Sequence, residues 1–308
     1  MAKYFETHRV NKSTHIPFYK QMITLIGNAF ALLDEEGREE VLQFLVSQQN
    51  PDGGFQDRGG RSDLYYSLFG VLMLRATEKE TEDRRRETEE PLPEQEAVKG
   101  MIQKLNQFVV SQQNSEVPGF IEKCCLVLLQ KELKTERNSQ IKALISLGKS
   151  FWKERLSINM SYRSFVLFLT LDAVLPFHSL LKSGAKRILA RTTVDQNAPC
   201  SEVAAKVFLQ KMLSENGSED LELLKSYVCE TGGFRAFHHV DQPDMLSTAV
   251  ALYALNYSGS DLRLLKPACL DFIQHNFVDG AFLSGDGDRT MDVEYTFYGL
   301  LALGVLSD

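Results

Sequence analysis

Hydrophobic positions recur every three or four residues through most of the chain, a spacing that places them on one face of a helix. The pattern persists even in residues 139–225, where the sequence has few other landmarks. Two stripes there are Ile141, Leu144, Ile145 and Leu147, followed by Val203, Val207, Phe208, Leu209 and Met212. The spacing therefore predicts an all-α chain.

A short signature repeats along these predicted helices. Each copy has an apolar helix, a turn with small residues and a Phe, and an Asp that opens a second apolar helix. The Phe and Asp of the three clear copies are Phe55 and Asp63, Phe234 and Asp244, and Phe282 and Asp292. A weaker copy begins at Val110 and reaches Phe120. At this repeat length, the chain has room for about five or six helix pairs.

Helix pairs that repeat along a chain either stack as an open solenoid or close into a ring. The small number of pairs and the 19 Phe and 10 Tyr residues favour closure around an aromatic-lined cavity. We therefore predict a single domain over residues 1–308, folded as an all-α α/α barrel, or toroid. A run of charges near residues 78–96, interrupted by Pro91 and Pro93, is expected to form a mobile insert.

The Asp of each clear copy stands just before a run of apolar helix-forming residues. A carboxylate there can accept hydrogen bonds from the free backbone N–H groups of the first helical turn and interacts favourably with the helix dipole. Helix capping is therefore the structural interpretation of Asp63, Asp244 and Asp292. The glycines ahead of the Phe supply the backbone freedom that a tight chain reversal needs.

Composition and charge narrow the function classes. The net charge of −7 argues against a nucleic-acid partner, because such surfaces depend on clustered Lys and Arg. The first residues lack the apolar core of a secretory signal, and the most apolar stretch, 165–181, is too short and too polar to span a bilayer. Five cysteines without a Cys-x-x-Cys pair indicate reduced thiols in a cytoplasmic protein.

The first clear copy carries a family resemblance. Gln49 to Phe55, followed by Arg58 and by Arg61 to Ser67, is similar to the repeats of protein prenyltransferase β subunits. Squalene cyclases and class II diterpene cyclases share this pattern. The resemblance implies an α/α toroid with an isoprenoid ligand in its central cavity. Prenyltransferase β subunits work with a helical α subunit, so a helical partner subunit and a homodimer are the two expected assemblies.

The resemblance also bears on metals. In protein prenyltransferases, basic residues of this repeat contact the diphosphate, and an Asp, a Cys and a His bind zinc. The two basic positions are Arg58 and Arg61 here, and the Asp is Asp63. Tyr66 matches the Tyr that follows the cysteine in the family's repeat. Leu64 and Tyr65 replace the cysteine, and Tyr295 replaces the histidine. Because two of the three ligands are missing, we expect no catalytic zinc. Mg²⁺ is expected only with a diphosphate substrate, and no other cofactor is predicted.

A second motif resembles the acid site of class II cyclases, Asp-x-Asp-Asp-Thr, whose middle Asp protonates an alkene or an epoxide. Asp292 and Thr296 match its ends, Glu294 offers the acid, and Tyr295 replaces the last Asp. A buried carboxyl group kept protonated by desolvation is a suitable general acid. The candidate catalytic residues are therefore Glu294 and Asp292, with Asp244 from the preceding copy. A purely structural helix cap is the alternative interpretation.

Loop side chains form the candidate binding site for a head group. Arg235, His238 and His239 lie in the loop of the second clear copy, and Arg289 lies in the loop of the third. If these loops gather at one end of the barrel, they can join the arginines of the first copy around an anionic group. Simple exposure is the alternative for the two histidines. The substrate-binding candidates are Arg58, Arg61, Asp63, Tyr66, Arg235, His238, His239 and Tyr295.

We interpret the chain as an isoprenoid-handling enzyme, either a class II-type terpene cyclase or a prenyltransferase-like protein. Its expected substrate is a polyprenyl or prenyl-diphosphate molecule held in the aromatic-lined cavity. The alternative is a non-catalytic toroid that binds a ligand or a protein and has lost the zinc and acid motifs. The aromatic content favours the first interpretation, and the incomplete motifs favour the second.

Overall fold

The computed structural model describes residues 16–88, 94–112, 119–154, 160–174 and 193–307, together with residues 183, 186 and 189. Within these residues the chain forms twelve helices and three antiparallel pairs of two-residue strands. The helices are α1 (Phe18–Leu32), α2 (Glu35–Gln48), α3 (Leu64–Thr88), α4 (Glu94–Ser111), α5 (Phe120–Glu132), α6 (Arg137–Glu154), α7 (Met160–Val174), α8 (Cys200–Leu213), α9 (Ser218–Lys225), α10 (Met245–Ser258), α11 (Lys266–His275) and α12 (Val293–Val305). The strands are β1 (Phe55–Gln56), β2 (Ser62–Asp63), β3 (Phe234–Arg235), β4 (Pro243–Asp244), β5 (Phe277–Val278) and β6 (Ala281–Phe282).

Six of these helices form a closed ring. Helix α3 packs against α5, α5 against α7, α7 against α8, α8 against α10, α10 against α12, and α12 against α3. Helices α4, α6, α9 and α11 pack on the outside of this ring, and α2 contacts β6. The closure confirms the predicted α/α toroid and its all-α class.

The inner helices are apolar on nearly every side, as expected for helices enclosed by neighbours. In α10, most residues from Met245 to Leu255 are buried. The outer helix α4 buries only one stripe, formed by Val98, Met101, Leu105, Phe108 and Val109. One hydrophobic cluster extends from α1 to α12. A single domain over residues 1–308 stays a prediction.

Helix α1 closes one end of the ring, which the sequence did not indicate. The backbone N–H of Phe18 donates to Asp172 Oδ2 of α7 at 2.9 Å, and its ring packs edge-on against Tyr257 of α10. Lys20 pairs with Glu132, the last residue of α5. Because Asp172, Tyr257 and Glu132 all lie near the C-terminal ends of inner helices, α1 forms a floor beneath the ring.

The glycine turns bring each helix pair against the next. A Cβ atom on any of these glycines would overlap a backbone carbonyl oxygen of an outer helix, at a positive φ that already favours glycine. The pairs are Gly53 with Lys104 of α4, Gly232 with Ala268 of α11, and Gly280 with Glu40 of α2. The third pair joins the last repeat to the first outer helix, so it closes the outer layer.

The Ser or Thr four residues after each Asp has a structural role. Its buried hydroxyl oxygen accepts a hydrogen bond from the backbone N–H of the Phe in the same copy. The three bonds are Phe55 N to Ser67 Oγ at 3.0 Å, Phe234 N to Thr248 Oγ1 at 2.8 Å, and Phe282 N to Thr296 Oγ1 at 3.3 Å. The Asp-x-x-x-Thr pattern therefore fixes the turn onto the inner helix.

The charged segment near residues 78–96 differs from the mobile loop that the sequence predicts. Helix α3 continues to Thr88 and α4 begins at Glu94, while residues 89–93 lie outside the described residues. Arg84 pairs with Glu80 one turn earlier and with Glu94 of α4. These ion pairs between neighbouring turns and helices allow a strongly charged sequence to remain helical.

No helix of the described residues is both long enough and apolar enough to cross a membrane.

Replacing Gly280 with Ala is expected to lower the free energy of unfolding more than replacing Gly259 with Ala. Both glycines have positive φ, 77° and 81° respectively, so each alanine adds about 1–2 kcal/mol of backbone strain. At Gly280 the new Cβ also overlaps the carbonyl oxygen of Glu40, which adds about 1–3 kcal/mol. Urea denaturation of the two variants measures the difference. Equal losses would contradict a role for this close approach in closing the ring.

Candidate functional site

The inner helices surround an apolar cavity. The volume within which the centre of a water-sized sphere can move is about 90 Å³. One water molecule needs roughly 10–15 Å³ on the same measure, so the cavity is several times larger than a single-water site. The lining side chains recur every three or four residues on each inner helix, and Met22 of α1 contributes from the floor. The aromatic residues that line it are Tyr65, Phe69, Phe165, Phe208, Tyr253, Phe297 and Tyr298. The chamber is therefore apolar, with aromatic rings in its wall.

The end of the ring opposite α1 is built from helix N-termini, three of which are capped by the aspartates of the repeat. Asp63 Oδ1 accepts the backbone N–H of Tyr65 at 2.7 Å. Asp244 Oδ2 accepts that of Ser247 at 2.7 Å, and Asp292 Oδ1 accepts that of Tyr295 at 2.8 Å. All three aspartates are helix caps, whatever else they do. We call this end the mouth.

Glu294 stands in the first turn of α12, at the mouth. It lies on the face of the helix that continues through Phe297, Tyr298 and Leu301, which all line the cavity. The hydroxyl of Tyr65 donates to Glu294 Oε1 at 2.7 Å, and the ring of Tyr65 is itself part of the cavity wall. The carboxyl group is therefore adjacent to the apolar chamber.

The surroundings of Glu294 favour its protonated form. Burial raises its pKa above the ordinary range, and the nearby charge of Asp292 acts in the same direction. The hydrogen bond from Tyr65 and the charge of Arg58 oppose this shift, because both stabilise the carboxylate. The net upward shift gives Glu294 the protonation state that a general acid needs over a wider pH range.

Arg58 links the first repeat to the last across the mouth. Its Nε donates to Asp292 Oδ2 at 2.8 Å, and its Nη1 donates to Asp288 Oδ2 at 3.0 Å. The guanidinium group also lies over the ring of Tyr295, 5.4 Å from its centre. Asp292 thus accepts from a backbone N–H through one oxygen and from Arg58 through the other.

Tyr295 links the last two repeats. Its hydroxyl donates to Asp244 Oδ1 at 3.3 Å. Burial raises the pKa of Asp244, while the bonds from Ser247 act in the opposite direction. Burial also raises the pKa of Tyr295, so this phenol stays protonated and can donate. Asp244 and Asp292 are therefore joined through α12 into one network with Arg58.

The remaining predicted residues are placed in different ways. The ring of Tyr66 lies edge-on to that of Tyr65, 5.8 Å away, and burial raises its pKa to about 12. Arg61 is 86% exposed and lies 3.6 Å from Asp57. These positions put Tyr66 beside the network and turn Arg61 toward solvent.

The predicted side chains in the loop of the second repeat have partners other than Glu294 and Asp292. Arg235 Nη2 donates to the carbonyl oxygen of Val228 at 3.2 Å, and the ring of His238 lies 4.0 Å from that of Tyr227. The ring of His239 stacks on that of Phe237, 5.3 Å away. Among the described contacts, Arg235, His238 and His239 are not joined to Glu294 or Asp292.

The side chains at the mouth do not fit a zinc site. Tyr65 and Tyr295 stand where the zinc site of protein prenyltransferases has a cysteine and a histidine. The raised pKa of Tyr295 keeps its phenol protonated. Zinc in proteins requires deprotonated sulfur, imidazole or carboxylate ligands in a tetrahedral array. Within the described residues, His, Cys, Asp and Glu side chains form no group of three or more with the geometry of a metal site.

Tyr65 and Met22 are functional candidates that the sequence did not reveal. Leu64 and Tyr65 stand where the prenyltransferase repeat has its zinc-binding cysteine. That correspondence was the sequence signal that a side chain here faces the site. Met22 belongs to α1, which carries no copy of the repeat. Its position in the cavity wall depends on how α1 crosses the ring.

Comparison with known families agrees with this architecture. The family model described as prenyltransferase alpha-alpha toroid domain matches residues 2–116 and 202–308, well over half of the chain. The protein therefore belongs to the prenyltransferase alpha-alpha toroid family. A search of curated proteins gave no significant match.

Replacing Tyr65 with Phe is expected to raise the pKa of Glu294 further, because the variant loses the hydrogen bond that stabilises the carboxylate. Carboxyl-carbon NMR titration of Glu294 measures the shift directly. Tyr66→Phe is the matched control, since it removes a neighbouring phenol and leaves the bond from Tyr65 in place. A Glu294 titration that is identical in wild type and Tyr65→Phe would contradict this electrostatic coupling.

Proposed function

We propose that the protein is an isoprenoid-handling enzyme of the acid-initiated, class II type, with the hydrocarbon chain in the central cavity and Glu294 as the acid. The observation that carries this proposal is the partly buried carboxyl group of Glu294, next to an apolar chamber and hydrogen-bonded to a tyrosine of its wall. Membership of a prenyl-related family supports the same class of ligand.

In the proposed first step, Glu294 transfers its proton to a carbon of an isoprenoid C=C bond. The π electrons of the alkene form the new C–H bond, and the other alkene carbon becomes a tertiary carbocation. Glu294 is left as a carboxylate, which the Tyr65 hydroxyl stabilises by the bond already present. Attack by a second C=C bond of the same chain forms a ring and moves the positive charge to the attacking chain. A carbon next to the new cation then loses its proton to the Glu294 carboxylate, which forms the product alkene and restores the acid.

The cavity wall suits such a cation. Aromatic faces attract a positive charge, each by about 0.5–2 kcal/mol depending on desolvation. Tyr65 and Phe69 on α3 and Phe297 and Tyr298 on α12 form a contiguous group just below Glu294, with ring centres 4.7–5.6 Å apart. The apolar lining also limits the water that could capture the cation.

Asp292 and Asp244 act as positioning residues in this proposal. Asp292 caps α12 and holds Arg58, which fixes the turn that carries Glu294. Asp244 caps α10 and accepts from Tyr295, the residue after Glu294. The carboxylate oxygens of Asp292 and Asp244 are engaged in these hydrogen bonds. Glu294 does not cap a helix, and its carboxyl group lies beside the chamber.

A non-catalytic, ligand-binding toroid is the second candidate. The observation in its favour is that Asp292 and Thr296, the ends of the cyclase-like motif, both have structural partners. On this hypothesis the cavity binds an isoprenoid without transforming it. A partner protein, either a helical subunit or a second copy of the chain, is compatible with both candidates and stays a prediction.

Glu294→Gln is expected to lower turnover by about 100-fold or more, the usual contribution of a general acid, while ligand affinity changes little. Squalene, farnesol and geranylgeraniol serve as test substrates, with products resolved by gas chromatography and mass spectrometry. Glu202→Gln is the matched control, because Glu202 lies in the first turn of α8 but outside the row of residues that line the cavity. Undiminished turnover in Glu294→Gln would exclude the acid role. Binding without turnover in the wild type would favour the second candidate.

The pH dependence of turnover gives an independent check. Since the protonated form of Glu294 is the active one, turnover should be full below its pKa and fall as the pH rises through it. Tyr65→Phe should move this fall to higher pH, because it raises the same pKa. A pH profile that moves in the opposite direction, or remains in place, would contradict Glu294 as the titrating acid.

A further inference from the structure

The mouth of the cavity is surrounded by acidic side chains. The backbone N–H of Met245 donates to the carbonyl oxygen of Ser284 at 2.7 Å, which brings the loop between β6 and α12 to the start of α10. That loop carries Asp286 and Asp288, and Ser284 donates to Asp286. Among the carboxyl groups at this end are Asp63, Asp244, Asp286, Asp288, Asp292 and Glu294. Any ligand head group at the mouth lies among them.

The cation nearest to Glu294 is already neutralised. Arg58 uses Nε on Asp292 and Nη1 on Asp288, so two of its edges face carboxylates. Its planar face lies over Tyr295. An incoming phosphate would have to displace a carboxylate from this guanidinium group before it could form the forked contact that makes Arg a strong phosphate ligand.

Two other predicted basic residues, Arg61 and Arg235, have partners away from Glu294. Arg61 extends into solvent beside Asp57, and Arg235 donates to the backbone of Val228 near the outer helix α9. Arg289 lies on the same loop as Asp286 and Asp288, and its side chain is exposed, as theirs are. Among the described residues, Arg58 is therefore the basic side chain with a described contact to the carboxylates next to Glu294.

The three helix N-termini that carry the repeat aspartates do not supply the missing positive charge. Free N–H groups at a helix start are a common anion site. Here the first turns of α3, α10 and α12 direct N–H groups of Tyr65, Ser247 and Tyr295 to the capping aspartates. At these three helices, the protein's own carboxylates thus occupy the places where a phosphate oxygen would bind.

We propose that the ligand of this cavity presents an uncharged head group at the mouth, as an isoprenoid hydrocarbon or alcohol does, and not a diphosphate. The inference rests on the proposed function and narrows its substrate class. A diphosphate would add negative charge beside the carboxylates of Asp292, Asp288 and Asp244. Arg58 does not offset the resulting repulsion, because it is already bonded to two of these carboxylates. An uncharged end leaves the network of Arg58 and its two carboxylates intact.

The test compares farnesol with farnesyl diphosphate, which have the same hydrocarbon chain. Binding to the full-length protein is measured by isothermal titration calorimetry, with and without Mg²⁺, and squalene binding is measured in parallel by detergent-solubilised partitioning. The expected result is that farnesol binds at least about tenfold more tightly than the diphosphate in both buffers. A diphosphate that binds as tightly or more tightly, with or without Mg²⁺, overturns the inference and leaves the isoprenoid function standing. Failure of all three ligands to bind contradicts the proposed function itself.

A charge variant sharpens the result. Asp288→Asn removes one partner of Arg58 and is expected to strengthen farnesyl diphosphate binding about fivefold, while farnesol affinity stays within twofold. Asp261→Asn is the matched control, because Asp261 forms an exposed pair with Arg263 in the turn after α10. Weaker diphosphate binding in Asp288→Asn would show that this carboxylate assists a phosphate, for instance through a metal ion, and would overturn the inference.

Discussion

The packing of the three clear repeats depends on the contact between each glycine turn and the backbone of the next outer helix. Gly53, Gly232 and Gly280 lie so close to carbonyl oxygens of α4, α11 and α2 that a single methyl group would not fit. Because a peptide group tolerates little overlap, these contacts fix the separation between successive helix pairs. The contact of Gly280 with α2 joins the end of the chain to its beginning, and a ring results instead of an open superhelix.

Closure of the ring determines where the candidate site lies. It places the N-termini of α3, α10 and α12 at one end, and α1 covers the other. The aspartates of the repeat cap these helices, so their first role is to stabilise the fold. Glu294 differs from them, because it follows the cap, shares the cavity-lining face of α12, and is bonded to Tyr65. A carboxyl group that the fold does not need as a cap can be available for catalysis.

The family match and the structure complement one another. The match covers both ends of the chain, where the glycine and aspartate signature is clear, and leaves the stretch between residues 117 and 201. In that stretch, α5 and α7 continue the ring without the signature. Ring closure therefore tolerates loss of the turn motif where apolar helix packing is sufficient, and the candidate site residues lie in the repeats that retain it.

The sequence by itself determined the helices, the repeat, the capping aspartates and the toroid class, because each depends on residues close together in the chain. It also identified Glu294, Asp292, Asp244 and Tyr295 as candidates, and the structure places them at one end of the ring. Only the tertiary structure revealed that Tyr65 donates to Glu294, 229 positions away, and that Arg58 is bound to Asp292, 234 positions away. It likewise gave Arg235 and the two histidines partners other than Glu294 and Asp292, and it showed α1 as the floor. Such contacts depend on the closing angle of the ring, which is the sum of small rotations at every pair and is not encoded in the spacing of any one repeat.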